Sequence, residues 1–400
     1  MNVKRVLATH SIALIIMSTS TCAQTSPARL SAYDASNTVK ASAYLDVAEN
    51  FNHQFHRELK NNKVPGGAMV IVQGDEIITL TTFGKRSKDS SEKVNADTVF
   101  RLASISKTFA GTLASLLVHE HGLSWQQPIV TYVPKFRLSD PKQSQQITLG
   151  HIVGQSSGLM PNSYDNLINA NVQLDKVINQ FAKLTPICNP GICYSYQNIA
   201  FSFIQQAIEQ ESGQPYDELI NQRLFTPLAM DTASIGFTAF NDADNRAEPH
   251  IKTRSGFKRV KVKPNYYQLA PAAGVNASIK DISKWLIANM GYRPDVLPMR
   301  VIEDITTPGV RSTKELRRRD WRAYLDDAHY GKGWRIYQFE GQKLIYHAGW
   351  VAGYVAEIAY SPELKLGMAI LLNGESRVVS ELSAHFWHQV FNLHNHKGAP

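Results

Sequence analysis

The sequence predicts an α/β protein: strands from both chain ends form one layer, and a long, mostly helical segment is inserted between them. Three observations lead there. A helical pattern followed by two β-rich runs occupies the first hundred residues. From about 125 to 290 the strand signal is weak, and segments such as "IAFSFIQQAIEQESG" and "IKDISKWLIANMG" repeat at helical spacing. Strand signals return near the end, in "YGKGWRIYQF", "QKLIYHAGWVAGYVAEIAY" and "LKLGMAILLN", before a last helix. The α/β part is thus placed at about 41–105 and 290–400, and the helical part at about 106–289, of one domain spanning 41–400.

In chain order, the first segment is a leader. "MNVKRVLATHSIALIIMSTSTCAQTS" has Lys4 and Arg5, an apolar run through Ile15, Ile16 and Met17, then small residues. That apolar run is too short to span a bilayer. Residues 1–23 read as a signal peptide cleaved after Ala23, which implies a periplasmic or secreted protein. Lipidation at Cys22 is the rival reading; the "TST" before it lacks the Leu normally expected there.

Next, "AYLDVAENFNHQFHRELKNNKVPGG" puts Val47, Phe51, Phe55 and Leu59 on one helical face, and Pro65-Gly66 ends it. "AMVIVQGDEIITLTTFGKR" reads as a hairpin around Gly74-Asp75. A helix starting near Ser104 buries Phe109, Leu113, Leu116 and Leu117 and stops at Gly122. The last helix carries Leu382, Phe386, Val390 and Leu393 on one stripe.

Bulk properties exclude little. The composition is 43% hydrophobic and 19% charged, ordinary for a globular protein. The formal charge is +8; without Lys4 and Arg5, 40 basic residues face 34 acidic ones, leaving +6. The densest basic cluster, "KELRRRDWR" at 314–322, lacks a nucleic-acid fold signature and reads as a solvated face. No nucleic acid and no transmembrane span are expected. Cys188 and Cys193 flank the turn sequence "NPGI"; in an oxidising compartment they favour a disulfide over two buried thiols. There is no H-E-x-x-H, and His119/His121 and His385/His388 read as surface pairs, so no metal or cofactor is expected.

S-x-x-K occurs four times, at Ser90/Lys93, Ser104/Lys107, Ser139/Lys142 and Ser255/Lys258. Ser90 lies in the polar "KRSKDSSEK", Ser139 in "RLSDPKQ" beside a Pro141 that would break local structure, and Ser255 in the polar "TRSGFKR". Only Ser104/Lys107 opens an amphipathic helix after an apolar, strand-like "TVFRLA". A serine hydroxyl is a weak nucleophile and needs a base within reach. Residues i and i+3 share a helix face, which sets Lys107 against Ser104. Burial and the positive end of the helix dipole both disfavour the ammonium, leaving an amine able to take a proton.

Tyr196-Gln197-Asn198 follows Ser104, in "NPGICYSYQNIAF", and His347-Ala348-Gly349 lies in "LIYHAGWVAGY". Taken in this order, S-x-x-K, Y-x-N and basic-x-G resemble the penicillin-binding protein and β-lactamase superfamily. The resemblance is to the class C-like branch, with its D-alanyl-D-alanine peptidases, D-aminopeptidases and esterases. It covers about 45–392, including "KVPGGAMVIVQGDE", "ITLGHIVGQSSGL" and "PLAMDTASIGF". Single motifs recur by chance, as in Tyr164-Asp165-Asn166, His329-Tyr330-Gly331 and Lys365-Leu366-Gly367; the ordered set does not.

The resemblance implies an antiparallel sheet flanked by helices. It makes Ser104 the acylated nucleophile, Lys107 its base and Tyr196 the proton shuttle. It assigns substrate binding to Asn198, His347, Gly349 and Trp350, whose N–H completes an oxyanion hole with that of Ser104, and to Asn162. His347 stands where β-lactamases of this superfamily carry Lys, and Gln155 where relatives often show His. The implied activity is an exported serine hydrolase of D-residue peptides, amides or esters. Alternatives are a class C-type β-lactamase or esterase, or a slow-turnover sensor of wall peptides or penicillin.

Overall fold

The computed structural model describes residues 32–397, with side chains from 44 to 395. The leader expected at 1–23, its cleavage after Ala23 and the alternative lipidation of Cys22 lie outside these residues. Helix α1 (Ala32–Asn61) leads into strands β1 (Gly66–Gln73) and β2 (Glu76–Gly84), an antiparallel hairpin turning at Gly74-Asp75. A short β3 (Phe100–Arg101) precedes helix α2 (Ser106–His119). The middle of the chain adds α3 (Asp165–Asn169), β4 (Ser234–Ile235), the hairpin β5 (His250–Thr253) and β6 (Gly256–Arg259), β7 (Val275–Ala277) and α4 (Ile279–Ile287). Then come β8 (Leu325–Tyr330), β9 (Arg335–Phe339), β10 (Gln342–Val351), β11 (Tyr354–Ser361), β12 (Leu366–Leu372) and α5 (Val378–Lys397).

The main sheet has the order β2-β1-β12-β11-β10-β9-β8, and every neighbouring pair is antiparallel. β1 pairs directly with β12, Met69 opposite Ile370, so the N-terminal hairpin joins the C-terminal strands inside one sheet. Period-2 geometry then divides the central strands between two cores. Met69, Ile71, Tyr346, Met368 and Ile370 face α1 and α5, where Phe51, Phe55, Leu59, Leu382, Phe386 and Val390 are buried. Ala68, Val70, Val72, Ile345, Ile358 and Ala369 face the helical part. This explains why β1 and β12 are continuously apolar: both faces are covered. No helix among the described residues is long and apolar enough to cross a membrane.

Helix α2 is anchored deep in the second core. Phe109 stacks on Trp285 of α4 with centroids 4.1 Å apart, and the Trp285 Nε1–H donates to Thr108 Oγ1 at 3.1 Å. Burying aromatic side chains of this kind contributes about 1.5–3 kcal/mol each. The lysine of the second S-x-x-K motif is therefore held by a rigid element.

Two local expectations are corrected. Pro141 does not break structure: it is the first residue of a helix, Pro141–Gln146, capped by Asp140, whose side chain accepts the Lys142 N–H. Proline suits that position because its missing N–H would have no helical partner there. Nor is 314–322 simply a solvated face. Lys314, Arg317, Arg319 and Arg322 are exposed, but Glu315 and Trp321 are buried and Arg318 threads between them. Residues 315, 318 and 321 recur at a spacing of three, which turns one side of this segment inward.

Candidate active site

Ser104 does not open α2 itself. It sits on a single 3₁₀ turn, Ala103–Ile105, immediately before it. Ala103 has φ +48°, a left-handed conformation that costs a non-glycine residue about 1–2 kcal/mol. The turn converts extended β3 into helix within one residue and leaves Ser104 half-exposed. Ser106 pins it: its hydroxyl donates to Ala103 O at 2.6 Å and accepts the Val275 N–H at 3.0 Å.

Lys107 is fully buried on the first turn of α2. Its Nζ lies 2.7 Å from Asn198 Oδ1, 3.1 Å from Ala272 O and 3.4 Å from Ser104 Oγ. The first two neighbours can only accept. A neutral amine would give them its two N–H bonds and leave its lone pair for the Ser104 hydroxyl. Burial pushes the Lys107 pKa down, an effect that Tyr196 and Asp165 reduce and Arg335 reinforces.

The Tyr196 ring lies 4.8 Å from Lys107 Nζ and 5.4 Å from the Arg335 guanidinium carbon. Burial alone would raise its pKa, but Lys107 and Arg335 outweigh burial and hold the phenol below its ordinary value. The segment carrying Tyr196 is clamped by Gln155. Gln155 O accepts the Ser195 N–H at 2.7 Å, its Oε1 accepts the Gln197 N–H at 2.6 Å, and its Nε2 donates to Gln197 O at 3.2 Å. Gln155 thus aims Tyr196 through the backbone on either side of it, with no hydrogen bond to Ser104. The Asn162 N–H supports the same segment, donating to Tyr196 O at 2.8 Å, while its side chain is exposed and outside the lining of the Ser104 cavity.

Asn198 is oriented by a residue that the motif pattern hid. Asp165, the middle residue of the apparently spurious Tyr164-x-Asn166, opens α3, and its Oδ2 accepts the Asn198 Nδ2–H at 2.6 Å. That fixes the amide so that its oxygen faces Lys107.

His347 on β10 is fully buried. Its Nε2 lies 3.1 Å from Tyr330 Oη and 3.3 Å from Arg335 Nη1, and its Nδ1 lies 2.9 Å from Ala348 O. Arginine can only donate, so Nε2 is the acceptor and Nδ1 carries the proton given to Ala348 O. Burial first, then Arg335 and Lys107, push the His347 pKa well down, so the ring is neutral at physiological pH. The fixed cation here is Arg335, which sequence reading missed. It is paired with Glu315 at 3.3 Å, and Glu315 is also 3.5 Å from Arg318. A lone Arg in "WRIYQF" carries no motif; the i, i+3 pair Glu315/Arg318 was the available signal.

Gly349 brings β10 against the turn that carries Ser104. A Cβ there would collide with Leu102 O and meet Ala103 Cβ at 3.1 Å. β10 pairs with β9 only as far as Tyr346, opposite Arg335, whereas its pairing with β11 continues to Val351. Residues 347–351 therefore leave an open strand edge beside Ser104. A cavity of about 440 Å³ lies along it, lined by Ser104, Tyr196, Asn198, Arg335, Gly349 and Trp350 among others. Gly349→Ala is expected to push the strand off the turn and lower kcat by about 10²-fold, with a smaller change in KM, in a steady-state ester assay.

Of the residues singled out from sequence, Ser104, Tyr196, Asn198, Gly349 and Trp350 line this cavity; Lys107 is buried beneath it against Ser104 and Asn198, His347 does not line it, and Asn162 meets it only through Tyr196. Cys188 and Cys193 form a disulfide, S–S 2.04 Å, on the loop entering the Tyr196 segment.

Comparisons with known proteins agree in kind. A family profile described as "Beta-lactamase" matches residues 51–389. Protein flp of Staphylococcus aureus (strain N315) is 22% identical over 355 residues, covering 87% of this chain and 67% of that protein. The unguisins hydrolase ungD of Aspergillus violaceofuscus is 24% identical over 353 residues, covering 81% of this chain and 60% of its own length. Among solved structures, the octameric penicillin-binding protein homologue from Pyrococcus abyssi superposes with a TM-score of 0.72 at 22% identity, over 82% of this chain and 73% of that one.

Proposed function

From the premise that this chain belongs to the β-lactamase family, we propose that it is a serine hydrolase working through an acyl-enzyme on Ser104. The observation that carries this reading is the buried Lys107, whose two fixed acceptors, Asn198 Oδ1 and Ala272 O, leave its lone pair to Ser104. In the first half-reaction Ser104 Oγ attacks the substrate carbonyl carbon while its proton passes to Lys107. The carbonyl oxygen becomes an oxyanion, held by the backbone N–H groups of Ser104 and Trp350. As the carbonyl–leaving-group bond breaks, Tyr196 protonates the departing atom and is reprotonated from Lys107. Water then attacks the ester, gives up a proton through the same pair, and releases the acid and Ser104.

The open edge of β10 supports a peptide-like substrate class, because it offers an extended substrate a strand to pair with. D-residue peptides and related amides or esters fit this reading, and the leader expected at 1–23 adds export to it. A class C-type β-lactamase is the second reading. Arg335 favours it, as a permanent cation beside a neutral His347.

The test is to expose the purified protein to a β-lactam, a D-Ala-D-Ala peptide, a D-amino amide and a p-nitrophenyl ester, following intact mass and product together. Turnover of one class identifies the substrate, and a starting mass beginning at Gln24 supports export. An adduct that persists without product would make the protein a sensor. No adduct and no product from any of the four would refute the acyl-enzyme reading.

A further inference from the structure

A second cavity, of about 360 Å³, opens beside Val351 and Ala352, the two residues that follow Trp350. It shares no lining residue with the Ser104 cavity. Its apolar walls include Ile251, Val260 and Val351, Asn169, Asn265 and Tyr266 add neutral polar groups, and its charged lining is Arg101, Lys261 and Lys263, with no carboxylate among the residues that line it. Arg101 is only 4% exposed, and its Nε and Nη2 are buried without a hydrogen-bond partner. Its guanidinium carbon stands 4.0 Å over the Tyr267 ring, a contact that uses the π face and none of the N–H bonds. Lys261 and Lys263 are exposed at the mouth, and neither they nor Arg101 form an ion pair among the described residues.

Burying a guanidinium with unused donors is costly unless an anion completes it. Position says which part of a substrate would bring that anion. Arg101 lies on β3 three residues before Ser104, and Val351 follows Trp350 on β10. Tyr196 and Arg335 line the other cavity, where the leaving group must receive its proton. The side beyond Trp350 is left for the acyl portion.

We propose that this cavity is an acyl-side subsite for a carboxylate: an apolar acyl chain lies along Val351 and Ile251, and its terminal anion reaches Arg101 past Lys261 and Lys263. Assigning it to the acyl portion rests on the acyl-enzyme reading above; the anion site itself does not.

Binding separates the two. In Ser104→Ala protein, calorimetric titration should show adipoyl-D-alanine amide binding at least ~10-fold more tightly than hexanoyl-D-alanine amide, which has the same length and no charge. Arg101→Met should abolish the preference. Because Arg101 packs in the core, the exposed pair Lys261→Ser/Lys263→Ser serves as a second variant and should reduce it. Equal affinities in Ser104→Ala, or an undiminished preference in folded Arg101→Met, would overturn the subsite. If Arg101→Met does not fold, an undiminished preference in the lysine pair would do so. Hydrolysis of the p-nitrophenyl esters of adipate and hexanoate by the unaltered protein reads the chemistry separately. Binding preference without p-nitrophenol release would refute the acyl-enzyme mechanism and still support the subsite.

Discussion

Lys107→Met is expected to lower kcat/KM by at least ~10³-fold while making the folded protein more stable. The two effects share a cause. Burial holds the Lys107 pKa below its ordinary value, so the folded state binds this proton less readily than the unfolded chain does. Where the unfolded state binds more protons, stability rises with pH. Lys107 therefore opposes folding at neutral pH, and its contribution recovers only as pH climbs through the window between the lowered folded pKa and the free-lysine value of about 10.4. Met has a similar shape and no proton to lose. The variant should melt at a higher temperature at pH 7, and its stability should vary less with pH across that window. Thermal melts across pH 6–10, read beside the ester assay, check both. A variant that is inactive and less stable would mean that Lys107 serves the fold rather than the reaction.

Arg335→Gln is the second large effect, and it acts on stability and rate through separate partners. Arg335 and Glu315 are both mostly buried, so removing the cation leaves Glu315 with Arg318 as its one remaining cation, beside the Tyr337 hydroxyl that donates to it at 2.6 Å, and costs on the order of 3 kcal/mol. Burial would raise the Glu315 pKa, but Arg335 and Arg318 outweigh it and hold it below the usual carboxylate value. A depressed folded pKa contributes stability that is present above the unfolded value and lost as pH falls through the folded one. Without Arg335 that contribution shrinks, and acid unfolding should begin at higher pH. Arg335 also lowers the pKa of Lys107 and of Tyr196, so the acid limb of kcat/KM should move to higher pH in the variant. Arg335→Lys keeps the charge and loses the planar fork; it should restore the limb's position more fully than the stability. An unmoved limb in folded Arg335→Gln would show that another group sets the ionisation.

The outline of both fold and site was legible because it is written in local pattern. The Gly74-Asp75 hairpin, the Phe51/Phe55/Leu59 stripe and the Leu382/Phe386/Val390 stripe each state their geometry within a few residues. Ser104, Lys107, Tyr196 and Asn198 could be set apart from their imitations by flanking context and order. What stayed hidden was the support. Asp165 and Tyr330 sit inside chance copies of the Y-x-N and H-x-G motifs, so spacing argued against them, yet one orients Asn198 and the other contacts His347. Gln155 looked like a departure and proves to be the clamp on Tyr196. Arg335 and Glu315 lie twenty residues apart on different elements and meet only when β9 is in place. Periodicity also misplaced the helix start by two residues, since nothing local announces the left-handed Ala103 that separates Ser104 from α2.

The β1–β12 pairing sets a timetable for the molecule. Gly67 lies opposite Leu372 and Gln73 opposite Leu366, partners separated by nearly the whole length of the domain. Contacts of such high order are slow to form, because the entropy of closing the intervening loop must be met before any of them is rewarded. During synthesis the serine is made early and stays chemically ordinary. The strand beside it, β10, the arginine that biases Tyr196, and the last partner of its sheet, β12, all lie more than two hundred residues further along the chain. The cavity beside Ser104 can therefore close only after β9, β10 and β12 have joined β1, so the site is assembled last although its serine is made early.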